Sequence, residues 1–188
     1  MPREQNTSDA FTGLEAAIVL IAFVVVAAVF AYVILGAGFF TTQKAQETVY
    51  KSVEQSTTNL LLIGNVYGLS TNTSAGIDEV KFSIGLAPGA PAIDLSKMKI
   101  VFSTPSTSPV ILAQNNTVAA ATTTFTTKIN GATATNSMNA NEQVEIDFLV
   151  HNVEANTKMN IELRPSVGAA LPFSKTAPAT ITKTVVLF

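Results

Sequence analysis

Residues 9–40 read "DAFTGLEAAIVLIAFVVVAAVFAYVILGAGFF", and this stretch decides the fold. After Asp9 it holds one carboxylate, Glu15, and the next charge is Lys44. From Ala16 to Phe40, 25 consecutive residues carry no charged side chain. As an α-helix at ~1.5 Å per residue they extend about 37 Å, past the roughly 30 Å hydrocarbon core of a bilayer. No polar stripe interrupts them, so the helix is predicted to lie in lipid or to be surrounded on every side by other protein. A secretory signal would have a basic front, a shorter apolar run and a small-residue cleavage site behind it. Here "MPREQNTSDA" sets Arg3 against Glu4 and Asp9, and no A-x-A site follows. The run is therefore expected to stay in the mature protein. Arg3 before the span, with Lys44 and Lys51 after it, does not set an orientation.

Outward from this run, "TTQKAQETVYKSVEQSTTNLLLIG" has no proline and is rich in helix formers. Val49, Val53, Thr57, Leu60 and Leu61 make an apolar stripe at helical spacing, and Gly64 reads as the stop. The predicted helix, to Ile63, is ~75 Å long, more than a bilayer needs. Beyond Gly64 the spacing changes to alternation. Val80, Phe82, Ile84 and Leu86 share one strand face, as do Val144, Ile146, Phe148 and Val150, and Met159, Ile161 and Leu163. "KMKIVF" and "TITKTVVLF" read as further strands, and "LAPGAPA", "STPSTSP" and "SVGAALP" as turns. The fold class is α+β: a long N-terminal hydrophobic α-helix followed by an immunoglobulin-like antiparallel β-sandwich of seven or so strands.

Composition narrows the function. Only 13% of the 188 residues are charged, against roughly 25% in a typical soluble domain. The net charge of -2 leaves no basic footprint for nucleic acid. With no cysteine and one histidine, His151, thiol chemistry is excluded and a metal cluster or catalytic triad is not expected. Glu142, Glu145 and Asp147 fall in one predicted strand, and Glu145 and Asp147 share its polar face. That face reads as solvated, with His151 at its rim. No cofactor, metal or catalytic residue is assigned, and the chain is not read as an enzyme. Asn72-Thr73-Ser74 and Asn115-Asn116-Thr117 are sequons in Ser/Thr-rich loops, which makes Asn72 and Asn115 candidate glycan acceptors; a third sequon starts at Asn6. Glu15 alone asks for a partner. Left at a helix N-terminus in the headgroup region it gains ~0.3–1 kcal/mol from the macrodipole. Buried among helices it needs a cation, and a cut just ahead of the run would supply an α-ammonium.

A short polar leader, a cut, and a hydrophobic helix with Glu at the fifth mature position resemble the class III signal of type IV pilins. More narrowly, "TGLEAAIVLIAFVVVAAVFAYVILGAGFFTTQKAQE" resembles the N-terminus of archaeal flagellins, the archaellins. A cut between Ala10 and Phe11 places Gly13 third and Glu15 fifth. The usual Lys/Arg-Gly pair is replaced by Asp9-Ala10, which leaves a cut before Ala10 as the alternative. The resemblance implies three regions: a cleaved leader over 1–10, a polymerisation helix over 11–63 and a β-sandwich outer domain over 64–188. It also implies a membrane-inserted precursor, a prepilin-type peptidase that removes the leader, and an assembly ATPase and membrane platform protein. The product is an extracellular filament, a helical polymer of this chain alone or with other archaellins. Its helices form the core and its β-domains the surface, for swimming. The alternatives are an archaeal adhesion pilin on the same helix and, of a different class, a membrane-anchored surface-binding module that keeps Met1.

Overall fold

The computed structural model describes the backbone of residues 5–117 and 120–188, with side chains from residue 11 onward. Residues 1–4 of the predicted leader, and the side chain of Ala10 at the predicted cut, lie outside the described residues. Among those described there are one α-helix, α1 (Gln5–Thr57), and twelve strands. The strands are β1 (Leu60–Leu69), β2 (Ile77–Leu86), β3 (Ile93–Asp94), β4 (Lys99–Thr104), β5 (Thr107–Gln114) and β6 (Thr124–Ile129), then β7 (Thr133–Ala134), β8 (Ser137–Met138), β9 (Gln143–Val153), β10 (Lys158–Arg164), β11 (Leu171–Thr176) and β12 (Thr184–Leu187). The chain divides after Tyr50 into two units, one that ends at Tyr50 and one from Lys51 to Phe188.

The helix ends six residues earlier than the apolar stripe predicts. Thr57, Thr58 and Asn59 are poor helix formers, two of them β-branched. The Thr58 amide and hydroxyl both donate to the Glu54 carbonyl, at 3.0 and 2.7 Å, and close the last turn. Leu60–Ile63, expected in the helix, instead pair with Leu86–Ser83 of β2. An apolar run of this kind fits either a helix or a buried strand, and pairing across the sheet decides in favour of the strand. Gly64 is not a helix stop but a positive-φ residue at +73° in the bulge that shifts register between Ile63 and Tyr67.

The strands run in the order β11-β10-β4-β5-β6-β9-β2-β1-β12, with β7 paired to β6. Every pairing is antiparallel except the short β5–β6 contact at Ala113–Thr124 and Gln114–Phe125. The strand path is folded so that its inner face stacks on itself. Phe82 of β2 meets Phe173 of β11, far along the path, edge to face at 5.4 Å. Phe102 of β4 meets Phe148 of β9 at 5.8 Å. Two hydrogen bonds between Thr176 and Phe188 bring the ends of the path together, which leaves little open edge for unwanted pairing. The β3–β8 pair and the 3-10 turn Leu95–Lys97 add Ile93, Leu95, Met98 and Met138 to the same buried cluster. The alternating residues read from the sequence in β2, β9 and β10 all point into it.

Candidate functional site

The surface of α1 is the most unusual feature of the molecule. Its large apolar side chains from Phe11 to Val53 are all at least half exposed, from 51% at Val26 to 79% at Tyr32. Among the described residues it is the one helix long and apolar enough to cross a membrane. Two of the hydroxyls that follow the apolar run are satisfied within the helix. Thr41 and Thr42 donate to the carbonyls of Ala37 and Gly38 one turn back, at 2.8 and 2.9 Å. A hydroxyl bonded in this way adds no unmet donor to an apolar setting. The first charged pair beyond the run is Lys44–Glu47 at 2.8 Å, exposed and worth a few tenths of a kcal/mol. Gly13, Gly36 and Gly38 have open space where a Cβ would stand. A glycine inside a helix costs about 1 kcal/mol against alanine, and in membranes such positions admit a second helix closely. Glu15 and Phe11 stand exposed on the same helix.

The two sequons of the β-domain lie on its surface, in differently built loops. At Asn72 the side-chain oxygen accepts from the Ser74 amide at 3.1 Å, and the loop is anchored where Thr71 donates to the Asp78 carboxylate. At Asn115 the side-chain oxygen accepts from both the amide and the hydroxyl of Thr117. Asn116, between them, is a structural pin. Its amide nitrogen donates to Thr127 Oγ1, the Thr135 carbonyl and Asn136 Oδ1, and its oxygen accepts from the Thr127 amide at 2.8 Å.

The polar face of β9 differs from the solvated strand predicted for it. Asp147 is 7% exposed and packed in a charge cluster drawn from three strands. Lys81 of β2 lies 3.8 Å from Glu79, 3.7 Å from Glu145 and 3.9 Å from Asp147, while Lys128 of β6 reaches Asp147 at 3.4 Å. Asp147 is buried because Lys81 and Lys128 compensate its charge across the strands, which alternation along one strand does not show. Thr126, directly opposite it, is buried as well. His151 is exposed, and Glu142 precedes β9, held by the Asn139 amide in a turn. Among the described residues no three His, Cys, Asp or Glu side chains are placed to hold a metal ion.

Within this cluster, burial and then the hydrogen bond and charge of Asp147 push the Glu79 carboxyl up to about 7, against the pull of Lys81 and Lys128. Retained by Glu79, that proton gives the buried Asp147 carboxylate a donor. The native state then holds a proton that the unfolded chain releases, so stability is full below about 4.5 and falls as pH rises toward about 7. With the side chain still 28% exposed, solvent screening keeps the loss on the order of 1 kcal/mol. Glu79→Gln is expected to flatten that fall. Thermal unfolding at pH 4.5 and 7.5 tests it: an unchanged slope in the variant assigns the proton to another group.

A family model for archaeal-type flagellin matches residues 10–175. Probable flagellin 1 of Archaeoglobus fulgidus is 37% identical over 190 residues, covering 94% of each chain. Among solved structures, the archaeal flagellum of Methanospirillum hungatei strain JF1 is similar at a TM-score of 0.74 and 32% identity, over 94% of this chain and 99% of that one. Archaeal flagellin FlaB1 from Methanocaldococcus jannaschii shares the fold, at a TM-score of 0.60 and 16% identity over 69% of this chain and 96% of its own.

Proposed function

The chain belongs to the archaeal-type flagellin family, and from that premise we propose how this structural subunit of the archaellum, which is no enzyme, enters its filament. The uniformly exposed apolar surface of α1 carries the reading. Such a surface is stable only in lipid or among other apolar helices, and a subunit that moves from one to the other needs both. The precursor is held in the membrane by α1. A prepilin-type peptidase cuts between Ala10 and Phe11, and an assembly ATPase with a membrane platform protein passes the subunit into the extracellular filament. There the helices form the core and the β-domains the surface. Transfer from lipid to packed helices gains little hydrophobic energy, so close packing at Gly13, Gly36 and Gly38 helps to drive it. Glu15 pairs with the new α-ammonium of a neighbour and sets axial register, while Asn72 and Asn115 carry glycans on the outer surface.

The test is to shear cells expressing this chain, sediment the released material and identify its N-terminal peptide by mass spectrometry. A chain beginning at Phe11 in sedimentable fibres is the expected result. An intact Met1 terminus confined to the membrane fraction overturns the filament reading and favours an anchored binding module.

A further inference from the structure

The chain holds a single Asn-Gly pair, Asn130-Gly131, and it forms the turn between β6 and β7. Across it the Ala132 amide donates to the Ile129 carbonyl at 3.2 Å, and both central residues have positive φ, +53° and +70°. Asparagine and glycine suit such a turn because they tolerate the left-handed region at low cost. Both are exposed. Among the described residues neither the Asn130 carboxamide nor the Gly131 amide has a hydrogen-bond partner. Asn136 is also exposed and also precedes a small residue, Ser137, but it is held. Its side-chain oxygen accepts from Gln114 and from Asn116, at 2.9 and 3.0 Å, and its carbonyl accepts from the Leu95 amide.

We propose that Asn130 is a site of self-modification, where the chain deamidates without an enzyme and gains a negative charge. The nucleophile is the Gly131 backbone nitrogen and the electrophile is Asn130 Cγ. Water takes the Gly131 amide proton, the nitrogen bonds to Cγ, and the Cγ–Nδ2 bond breaks. Ammonia leaves and a cyclic imide remains. Water then opens the imide. Attack at Cγ restores the backbone and leaves aspartate; attack at the Asn130 backbone carbonyl routes the chain through the side chain, as isoaspartate. Either way one water is consumed for the one ammonia released. Two groups held in one chain react with a large entropic advantage once they meet, and glycine leaves its nitrogen open because no Cβ stands beside it. The free Asn130 carboxamide can turn to meet that nitrogen, whereas the Asn136 carboxamide must first leave its two donors. Conversion takes the net charge from -2 to -3. The new charge arises next to the cluster on β9, since a Cβ on Gly131 would stand 3.9 Å from Glu145 Oε2. Isoaspartate also lengthens the backbone inside a hairpin whose register, Ile129–Thr133 and Lys128–Ala134, the turn sets. The site lies within the β-domain and stands whether or not the filament reading does.

The full-length chain is incubated in detergent at mildly alkaline pH and, in parallel, unfolded in guanidinium chloride. Peptide mass spectrometry follows the exchange of amide for acid at each asparagine, and an isoaspartate-specific methyltransferase labels the isomerised product. In the unfolded chain Asn130 leads Asn136 on account of its glycine alone. On folding, the ratio of the two rates is expected to widen about tenfold, because Asn136 loses a freedom that Asn130 keeps. Asn130→Gln, whose longer side chain closes the ring poorly, is expected to remove most of the isoaspartate label from the folded chain. A ratio that is unchanged or narrower on folding overturns the proposal, since the turn then guards Asn130. Label that persists undiminished in Asn130→Gln overturns it too, by assigning the reaction to another residue.

Discussion

Glu15→Ala is expected to leave the subunit fully inserted in the membrane and to cut sedimentable filaments at least tenfold. The apolar run from Ala16 to Phe40 is untouched, so insertion has no reason to change. Alanine is also the best helix former, so α1 itself is not weakened at that position. What changes is the proposed pairing in the filament. Between closely packed helices an ion without a partner costs several kcal/mol, and removing one member of a buried pair destabilises by ~3–5 kcal/mol. That cost would recur at every subunit, in a setting where little hydrophobic gain is available to offset it. Glu15→Gln keeps hydrogen bonding without charge and should fall between the two. Filaments of ordinary yield and length from Glu15→Ala would remove the register role; loss of the subunit from the membrane fraction would relocate the defect to insertion.

The parts of this fold that were legible from sequence are those in which one strand or helix reveals its own surroundings. The apolar run of α1 is readable because lipid and helix packing ask the same thing of every face. The alternation of Val80, Phe82 and Ile84 is readable because a half-buried strand repeats every two residues. Leu60–Ile63 carried no such information, since four successive apolar residues satisfy a helix face and a buried strand equally well. The β6 strand was hidden for another reason. Phe125, Thr126 and Thr127 are buried in succession, and Thr127 is tolerable there only because Asn116 and the Thr135 carbonyl supply its hydrogen bonds. Asp147 misled in the same way, its compensating lysines lying on two other strands. The outward neighbours of β1 were equally invisible, because Val186 joins Tyr67 only once β12 pairs with β1.

Gly168→Ala is expected to destabilise the unit from Lys51 to Phe188 by about 3 kcal/mol or more, through two separable effects. The first is backbone conformation. Gly168 sits at φ +99°, where an L-residue with a Cβ is strained by ~1–3 kcal/mol. The second is contact. A Cβ built there falls 2.1 Å from the Thr58 carbonyl oxygen and 2.9 Å from the Thr58 Cβ. Thr58 is fully buried and cannot swing aside, because its amide and hydroxyl both hold the Glu54 carbonyl that closes the last turn of α1. Moving it would undo the point where helix gives way to strand. Gly89 provides the control. Its φ is +83°, yet nothing lies within 4 Å of the Cβ position, so Gly89→Ala suffers the backbone effect alone. At ~2–4 °C per kcal/mol for a chain of this size, the Gly168 variant should melt roughly 10 °C low or more, and the Gly89 variant should lose only the smaller part of that shift that the backbone effect causes. Thermal unfolding of the full chain in detergent reads both. Equal shifts would mean that the Gly168 loop yields around the added methyl, and that Thr58 is not clamped by it.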